Sequence, residues 1–414
     1  MLTREDNELL TSSGPETPLG KLLRKYWQPV AVSEEMPLGV APKPVTVMHE
    51  KLVLFRDKRG RPGLMGLHCP HRAMDLSFGR VEEEGLRCIY HGWLFDVRGN
   101  CLDQPAEPEG SHFKDGIKHL AYPVHEVAGV IFAYMGPGEP PLFPAYPFTR
   151  VPLEHTFVRK YLQNCNYLQG NEGNLDPTHL HFLHQRLGAN GQVNYPPRTR
   201  IEVEETDFGL RIMTGRDIGD GKRSMRMTNF VYPNLCSIPV GEEGQNNFNF
   251  HVPIDDTHHC KYMLTVSVAK PLNKEALKRT AGEVTADYRT VRNRENRYLQ
   301  DRQEMETQTW AGLGYNFIDH DTAATESEGL IQDRTQEHLG YSDKALAASR
   351  RLLLQSVRGL QQGAEPPHLV RRPEQNDFSH LIVVSEDAPL EEAENWDRFW
   401  DKRLPQKSFK AATR

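Results

Sequence analysis

Cys69-Pro70-His71-Arg72 and, beyond residues 72–87, Cys88-Ile89-Tyr90-His91 bring two cysteines and two histidines as two tight pairs. A loop offering two soft or borderline ligands at i and i+2 or i+3 supplies half a metal centre at little cost in chain entropy. Two such loops make four ligands, which suit either a tetrahedral zinc or a [2Fe-2S] cluster with two imidazoles on one iron. Zinc fingers usually set Cys with Cys and His with His. Here each loop offers one of each, so both thiolates can take one iron and both imidazoles the other. The spacing favours the iron–sulfur cluster.

Carried on through Gly92-Trp93-Leu94-Phe95-Asp96, the motif resembles the Rieske signature of the non-haem iron oxygenase alpha subunits. The resemblance implies that Cys69, His71, Cys88 and His91 hold a Rieske cluster. Imidazole ligation raises the reduction potential of such a cluster, which suits storing one electron and passing it on.

At 414 residues the chain is too long for a Rieske ferredoxin alone and predicts two domains, or a small domain set into a larger one. Charged residues make up 26% and the formal net charge is -6, so nothing points to nucleic acid. Basic pairs such as Arg350-Arg351 read as solvated faces. Met1-Leu2-Thr3-Arg4-Glu5-Asp6 lacks the apolar core of a signal peptide, and no run approaches the ~20 apolar residues of a membrane span. A cytoplasmic protein is expected. Cys101, Cys165, Cys236 and Cys260 are scattered without a disulfide pattern, as in a reducing compartment.

Along the chain, Thr17-Pro18 reads as an N-cap with proline in the first turn, followed by Leu19, Leu22, Leu23 and Tyr26 at helical spacing. Short β-prone runs follow at 29–32, 44–47 and 51–55, with Asp57-Lys58-Arg59-Gly60 turning a hairpin and Asp96 to Asn100 another turn. Residues 129–136 read as a buried strand. The fold class expected is α+β, in four parts: an N-terminal helical segment at 1–27 packing on the catalytic domain, a small β-rich Rieske domain at 28–142, a larger catalytic domain at 143–362, and a C-terminal tail at 363–414. Alternation around Asp207-Phe208-Gly209 and in 230–232, 247–250 and 263–266 predicts an antiparallel sheet with helices on one side. Arg200, Arg211 or Arg226 could point inward and clamp a carboxylate, although strand arginines more often face solvent. Gly219-Asp220-Gly221-Lys222 reads as a turn. Residues 345–361 form an amphipathic helix, and Trp396, Phe399, Trp400 and Leu404 recur at helical spacing in the tail.

A second constellation lies at Asp176-Pro177-Thr178-His179-Leu180-His181-Phe182-Leu183-His184. Asp-Pro is a good helix start, so Asp176 as an N-cap and the histidines as a polar helix face is the plain reading. Imidazoles with a carboxylate are also what a mononuclear iron(II) site uses. On a regular helix His181 and His184 lie about 60° apart and His179 and His184 about 140°, so geometry alone favours the first pair. Asp176, His179 and His184 are similar to the catalytic-iron motif of the Rieske oxygenases, preceded by a matching Cys165-Asn166-Tyr167-Leu168-Gln169 and Glu172-Gly173. The resemblance implies that His179 and His184 bind the iron and that the helix bulges or ends between Leu180 and His184. His181 then stands behind the site or at the surface. In the phthalate dioxygenase and vanillate demethylase branches an Asp five residues before a Glu is the third ligand, which implies Asp321 ahead of Glu326. Asp319 and Glu326 are rivals, and an N-cap is the plain reading of either Asp.

The resemblance further implies an O2-activating enzyme with a Rieske cluster and mononuclear Fe(II). It also implies that Asp176 supports the His179 imidazole and reaches His91 of the next subunit in a homotrimer. No dinucleotide or flavin motif is present, so electrons are expected from NAD(P)H through a separate reductase, with or without a ferredoxin between. The N-terminal Met1 to Leu10 and Tyr26-Trp27-Gln28-Pro29-Val30 resemble the phthalate and phenoxybenzoate dioxygenases and dehydrodivanillate O-demethylases, which implies ring hydroxylation or demethylation of an aromatic acid. The competing readings are a non-catalytic electron carrier or redox sensor and a zinc-stabilised binding protein.

Overall fold

The computed structural model describes residues 1–195, 197–241 and 244–404. The Thr17 hydroxyl accepts from the Gly20 N–H at 3.1 Å and opens the helix Pro18–Leu23. Leu19, Leu22 and Leu23 on that helix are fully buried. A second helix, Arg4–Thr11, precedes it within the helical segment expected at 1–27 and is capped by Thr3. Both pack on the long helix Lys344–Gln361.

From Gln28 onward the chain is β-rich. Gln28–Val32 pairs with Val130–Ala133, so the first and last strands of this part close on each other beside Val124–Val127. Between them lie two four-stranded antiparallel sheets. One contains the hairpin Glu50–Arg56 and Pro62–Gly66, turned at 57–61 as the sequence predicts. The other runs Arg80–Glu82, Gly85–Arg87, Leu94–Phe95 and Cys101–Asp103.

An eight-stranded antiparallel sheet organises the second half. Seven of its strands run in the order Thr156–Gln163, His259–Ser267, Gln245–Pro253, Leu235–Pro239, Lys222–Val231, Gly209–Gly219 and Arg200–Thr206, and the eighth pairs with Lys222–Val231 off this path. Because side chains alternate, register fixes which residues share a face. Pairing of Arg159 with Met263, Met263 with Asn249, Phe230 with Leu210 and Thr228 with Ile212 puts all of them on one face. Part of that face is apolar and meets the helices. The other part is polar: Arg159, Lys261, Asn247, Asn249, Arg226 and Thr228 line a cavity. The opposite face packs on the β-rich half, with Phe248 against Phe148 and Phe250 against Phe132 at ring separations of 5.1 and 5.6 Å.

Two expectations change here. Arg350 is not a solvated cation: it is 3% exposed, and its Nε meets Glu172 at 2.5 Å while its terminal nitrogens reach Glu337. Glu172 also accepts from the fully buried Arg334 at 2.8 Å, so this network pins the helix Tyr167–Leu175 to Lys344–Gln361. The C-terminal residues are likewise more than a polar tail with a helix. Val384–Pro389 adds a strand beside Lys222–Val231, and the helix Trp396–Asp401 covers Met213, Met225 and Met227. Trp400 is 3% exposed there, and Trp400→Ala should cost about 3–5 kcal/mol in a denaturant titration. A loss below about 1 kcal/mol, ordinary for a surface position, would contradict this packing.

Candidate active site

The two Cys/His loops fold alike. In each, the N–H four residues after the cysteine donates to the cysteine carbonyl (Ala73 to Cys69 at 2.9 Å, Gly92 to Cys88 at 3.0 Å). The cysteine N–H in turn donates to the carbonyl five residues on, Met74 and Trp93, both at 2.8 Å. Such a turn needs a left-handed residue at its corner, supplied by Ala73 at φ 58° and Gly92 at φ 75°. The result sorts the ligands by chemistry. Cys69 and Cys88 are 2% and 3% exposed, whereas His71 and His91 stand outside with ring centroids 4.5 Å apart. Trp93 stacks flat on His71 at 4.5 Å. Burial pushes the Cys69 thiol up to about 11, with Cys88 beside it adding to the shift. Two adjacent sulfurs in such a place ionise only with a cation to share, and inner thiolates with outer imidazoles fit a dinuclear iron–sulfur cluster.

At the second constellation the helix lies before Asp176, not after it. Asn166 caps Tyr167–Leu175 by accepting from the Leu168 N–H, and Asp176 ends that helix. Pro177 has no N–H with which to continue it. The Asp176 carboxylate turns onto the next loop instead, accepting from the Thr178 N–H at 2.6 Å and the His179 N–H at 3.1 Å. His179–His181 is a single 3-10 turn, and the regular helix is gone before His184. This break is what lets residues five apart meet. His179, His184 and Asp321 bring one ligand atom each to within 4.8 Å of one another. His184 Nε2 is 3.0 Å and His179 Nε2 3.8 Å from Asp321 Oδ1.

Asp321 is inside the helix Phe317–Ser327, whose N-cap is Asn316, so neither Asp319 nor Asp321 is a cap. Asp319 faces Arg292 at 3.8 Å. Glu326 is occupied elsewhere, accepting from the Tyr298 hydroxyl at 2.8 Å and the Asn164 N–H at 2.7 Å. Burial would raise the Asp321 pKa, but hydrogen bonding to His184 and the charges of Lys261 and the histidines outweigh it and hold the carboxyl well below the usual range. On His179 burial opposes charge, yet Asp176 and Asp321 prevail and move its pKa up. His181 is not in the group. It stands beside Arg216 and Arg226, and burial with those charges lowers its pKa to about 4. Two imidazoles and an ionised carboxylate on one wall of an open cavity fit the donor set of an iron(II) centre with free positions.

That cavity holds about 440 Å³ and is lined by the three donors, by Asp176, and by three cations, Arg159, Arg226 and Lys261. Lys261 is 2% exposed and already committed to Asp321 at 3.6 Å. Of the arginines weighed from sequence, Arg226 does point inward, whereas Arg211 pairs with Glu204 and Arg200 lies over the Trp396 ring. Arg159 and Lys261 were missed. Their signal was present as charged residues at alternating positions in otherwise apolar strands, such as Lys261 between Tyr262 and Cys260.

Comparisons with known proteins agree with this geometry. Residues 26–123 match the Rieske [2Fe-2S] domain, and residues 133–401 match the family described as LigXa C-terminal domain like. The chain is 32% identical over 401 residues to the 5,5'-dehydrodivanillate O-demethylase oxygenase subunit of Sphingobium sp., covering 94% of this chain and 89% of that one. It is 36% identical over 392 residues to the phthalate 4,5-dioxygenase oxygenase subunit of Pseudomonas putida, covering 88% of each. The terminal oxygenase of carbazole 1,9a-dioxygenase from Nocardioides aromaticivorans IC177 shares the fold, with a TM-score of 0.60 over 86% of this chain and 98% of that one at 19% identity. No helix among the described residues is long and apolar enough to cross a membrane. The α+β architecture expected from sequence is therefore that of a Rieske-type non-haem iron oxygenase subunit, and the chain belongs to that family.

Proposed function

We propose that this oxygenase O-demethylates or hydroxylates an aromatic carboxylate, that His179, His184 and Asp321 hold the mononuclear iron, and that Arg226 binds the substrate's carboxylate. The observation that carries the substrate class is Arg226 itself. It is half-buried on the cavity wall; among the described residues its Nε has no acceptor and its Nη2 donates to the Pro239 carbonyl alone, at 3.1 Å. Burial lowers its pKa to about 10, and no carboxylate among the described residues offsets that. A guanidinium held dry and short of acceptors is a site for a planar anion. Arg159 stands on the same wall, its Nε also without a partner among the described residues. Ile238, Met263 and Phe317 supply apolar surface for a ring.

When bound, the iron supplies open positions at which dioxygen can be activated. The chain's own part is to hold the acid by its charged end, so that one ring carbon or methoxy group is turned toward the triad, and to keep bulk water from it. Asp176 anchors the His179 loop and faces His179 Nδ1 at 3.6 Å. We further propose a homotrimer in which Asp176 of one subunit meets His91 of the next, both residues being partly accessible. Electrons come from a separate reductase or its ferredoxin, docking near the exposed His71 and the half-exposed His91.

The test is incubation with a reductase, NADH and a panel of methoxylated and unsubstituted aromatic acids under labelled dioxygen. Formaldehyde release marks demethylation, and a labelled diol or phenol without it marks ring hydroxylation. Turnover of neutral aromatics with the acids inert would overturn the proposal. Arg226→Met should raise KM for the preferred acid about 10- to 100-fold, the worth of a charged hydrogen bond, and leave its methyl ester unaffected. An equal loss on acid and ester would remove Arg226 from this role.

A further inference from the structure

The geometry points to His320 as the positioning residue that decides which nitrogen of His184 is presented to the metal; the inference rests on His184 being an iron ligand. His320 lies one residue before Asp321 in the helix Phe317–Ser327 and is 2% exposed. Its Nε2 is 2.9 Å from the Gly314 carbonyl oxygen. A carbonyl only accepts, so the ring proton sits on Nε2. A neutral imidazole carries a single N–H, and this ring, buried against a carbonyl and another imidazole, therefore keeps a bare lone pair on Nδ1.

That lone pair is 3.0 Å from His184 Nδ1. Two lone pairs cannot face each other at that distance, so His184 brings the proton and donates Nδ1–H to His320 Nδ1. A neutral His184 is thereby left with its bare nitrogen at Nε2; that lone pair and Asp321 Oδ1, 3.0 Å apart, stand together only with a cation to share, a proton in the empty site or a metal in the filled one. The chain of requirement runs one way, from the Gly314 carbonyl through His320 to the donor atom. Gly314 sits at φ 78°, a turn conformation that side chains rarely adopt. The two rings lie 15° from parallel, and Phe317 stacks on His184 at 4.2 Å and 11°. His179 is served differently, since its Nδ1 looks toward the Asp176 carboxylate at 3.6 Å. One imidazole is backed by an anion and the other by a neutral ring.

The experiment uses the whole chain with its cluster intact, mononuclear iron removed by mild chelation, and Co(II) titrated into the vacated site by its absorption. His320→Leu, which has no acceptor, should weaken Co(II) binding about 10- to 100-fold while cluster absorbance stays unchanged. His320→Asn places an amide oxygen near the position of Nδ1 and should restore binding close to that of the natural protein. Unweakened binding by the Leu variant, or an Asn variant as weak as Leu, would overturn the inference. Should the Leu variant fail to fold, the unsubstituted protein still decides. With Co(II) bound it should show a hyperfine-shifted, exchangeable N–H from Nδ1 of His184 that is lost in His184→Ala, and coordination through Nδ1 instead would refute the role. Co(II) binding that survives His184→Ala intact would sink the ligand assignment itself, a result distinct from failure of His320.

Discussion

Asp321→Ala is expected to form no product above the level of the reductase alone, while keeping the visible absorption of its cluster. The reason is local. The variant leaves two imidazoles without the carboxylate that lies 3.0 Å from one and 3.8 Å from the other. Two neutral ligands do not retain iron(II) against a chelator as a charged triad does. The same change strands Lys261, which is 2% exposed and has Asp321 at 3.6 Å. Removing one partner of a buried pair costs roughly 3–5 kcal/mol, less whatever Lys261 recovers by giving up its proton. Loss of iron and loss of stability must therefore be separated. The double variant Asp321→Ala/Lys261→Met should regain much of the stability and none of the mononuclear iron. Iron content equal to the natural protein in Asp321→Ala, measured beside inorganic sulfide, would refute the assignment.

Asp176→Asn should behave differently: both iron centres stay loaded, yet turnover falls about 100-fold, the upper end for groups that support a metal ligand. Both Asp176 oxygens are in use, one on the Thr178 N–H and the other on the His179 N–H and toward His179 Nδ1. Asparagine keeps the shape but puts an N–H donor where one acceptor stood and removes the anion behind the imidazole. If Asp176 links the two centres across a subunit boundary, a prereduced cluster will be oxidised slowly on mixing with substrate and dioxygen. An unchanged single-turnover rate and product yield would show that Asp176 serves only to shape the loop. Iron loss equal to that of Asp321→Ala would show that it acts through His179 alone.

The sequence carried the strands and the grouping of donors further than it carried local geometry. Period-two alternation marks 201–204, 210–213, 247–250 and 263–266, and all four lie in the large sheet. Asp176-Pro177 was read backwards, because Asp caps and Asp terminators look alike until the preceding residues are known to be helical. Asn166 and Asn316 are the true caps, each about a turn or more upstream of the acids that drew attention. The strand Val384–Pro389 escaped because its pairing with Lys222–Val231 is wholly non-local and its own residues, Val-Ser-Glu-Asp-Ala-Pro, have little β preference. Arg350 was misjudged for a related reason. Its partners Glu172 and Glu337 are distant in sequence, and only the packing of three segments buries it.

The three residues proposed as metal donors belong to a loop and a helix, and the inward cations belong to strands on the facing wall. Side chains on that wall can be exchanged singly without moving the ligand backbone, since each occupies its own rung of the ladder. Selection acting on what the cavity takes up is thus decoupled from selection on oxygen chemistry. A lineage built this way could diversify its diet rapidly while its redox engine stayed fixed, and a designer could retune the strand wall alone.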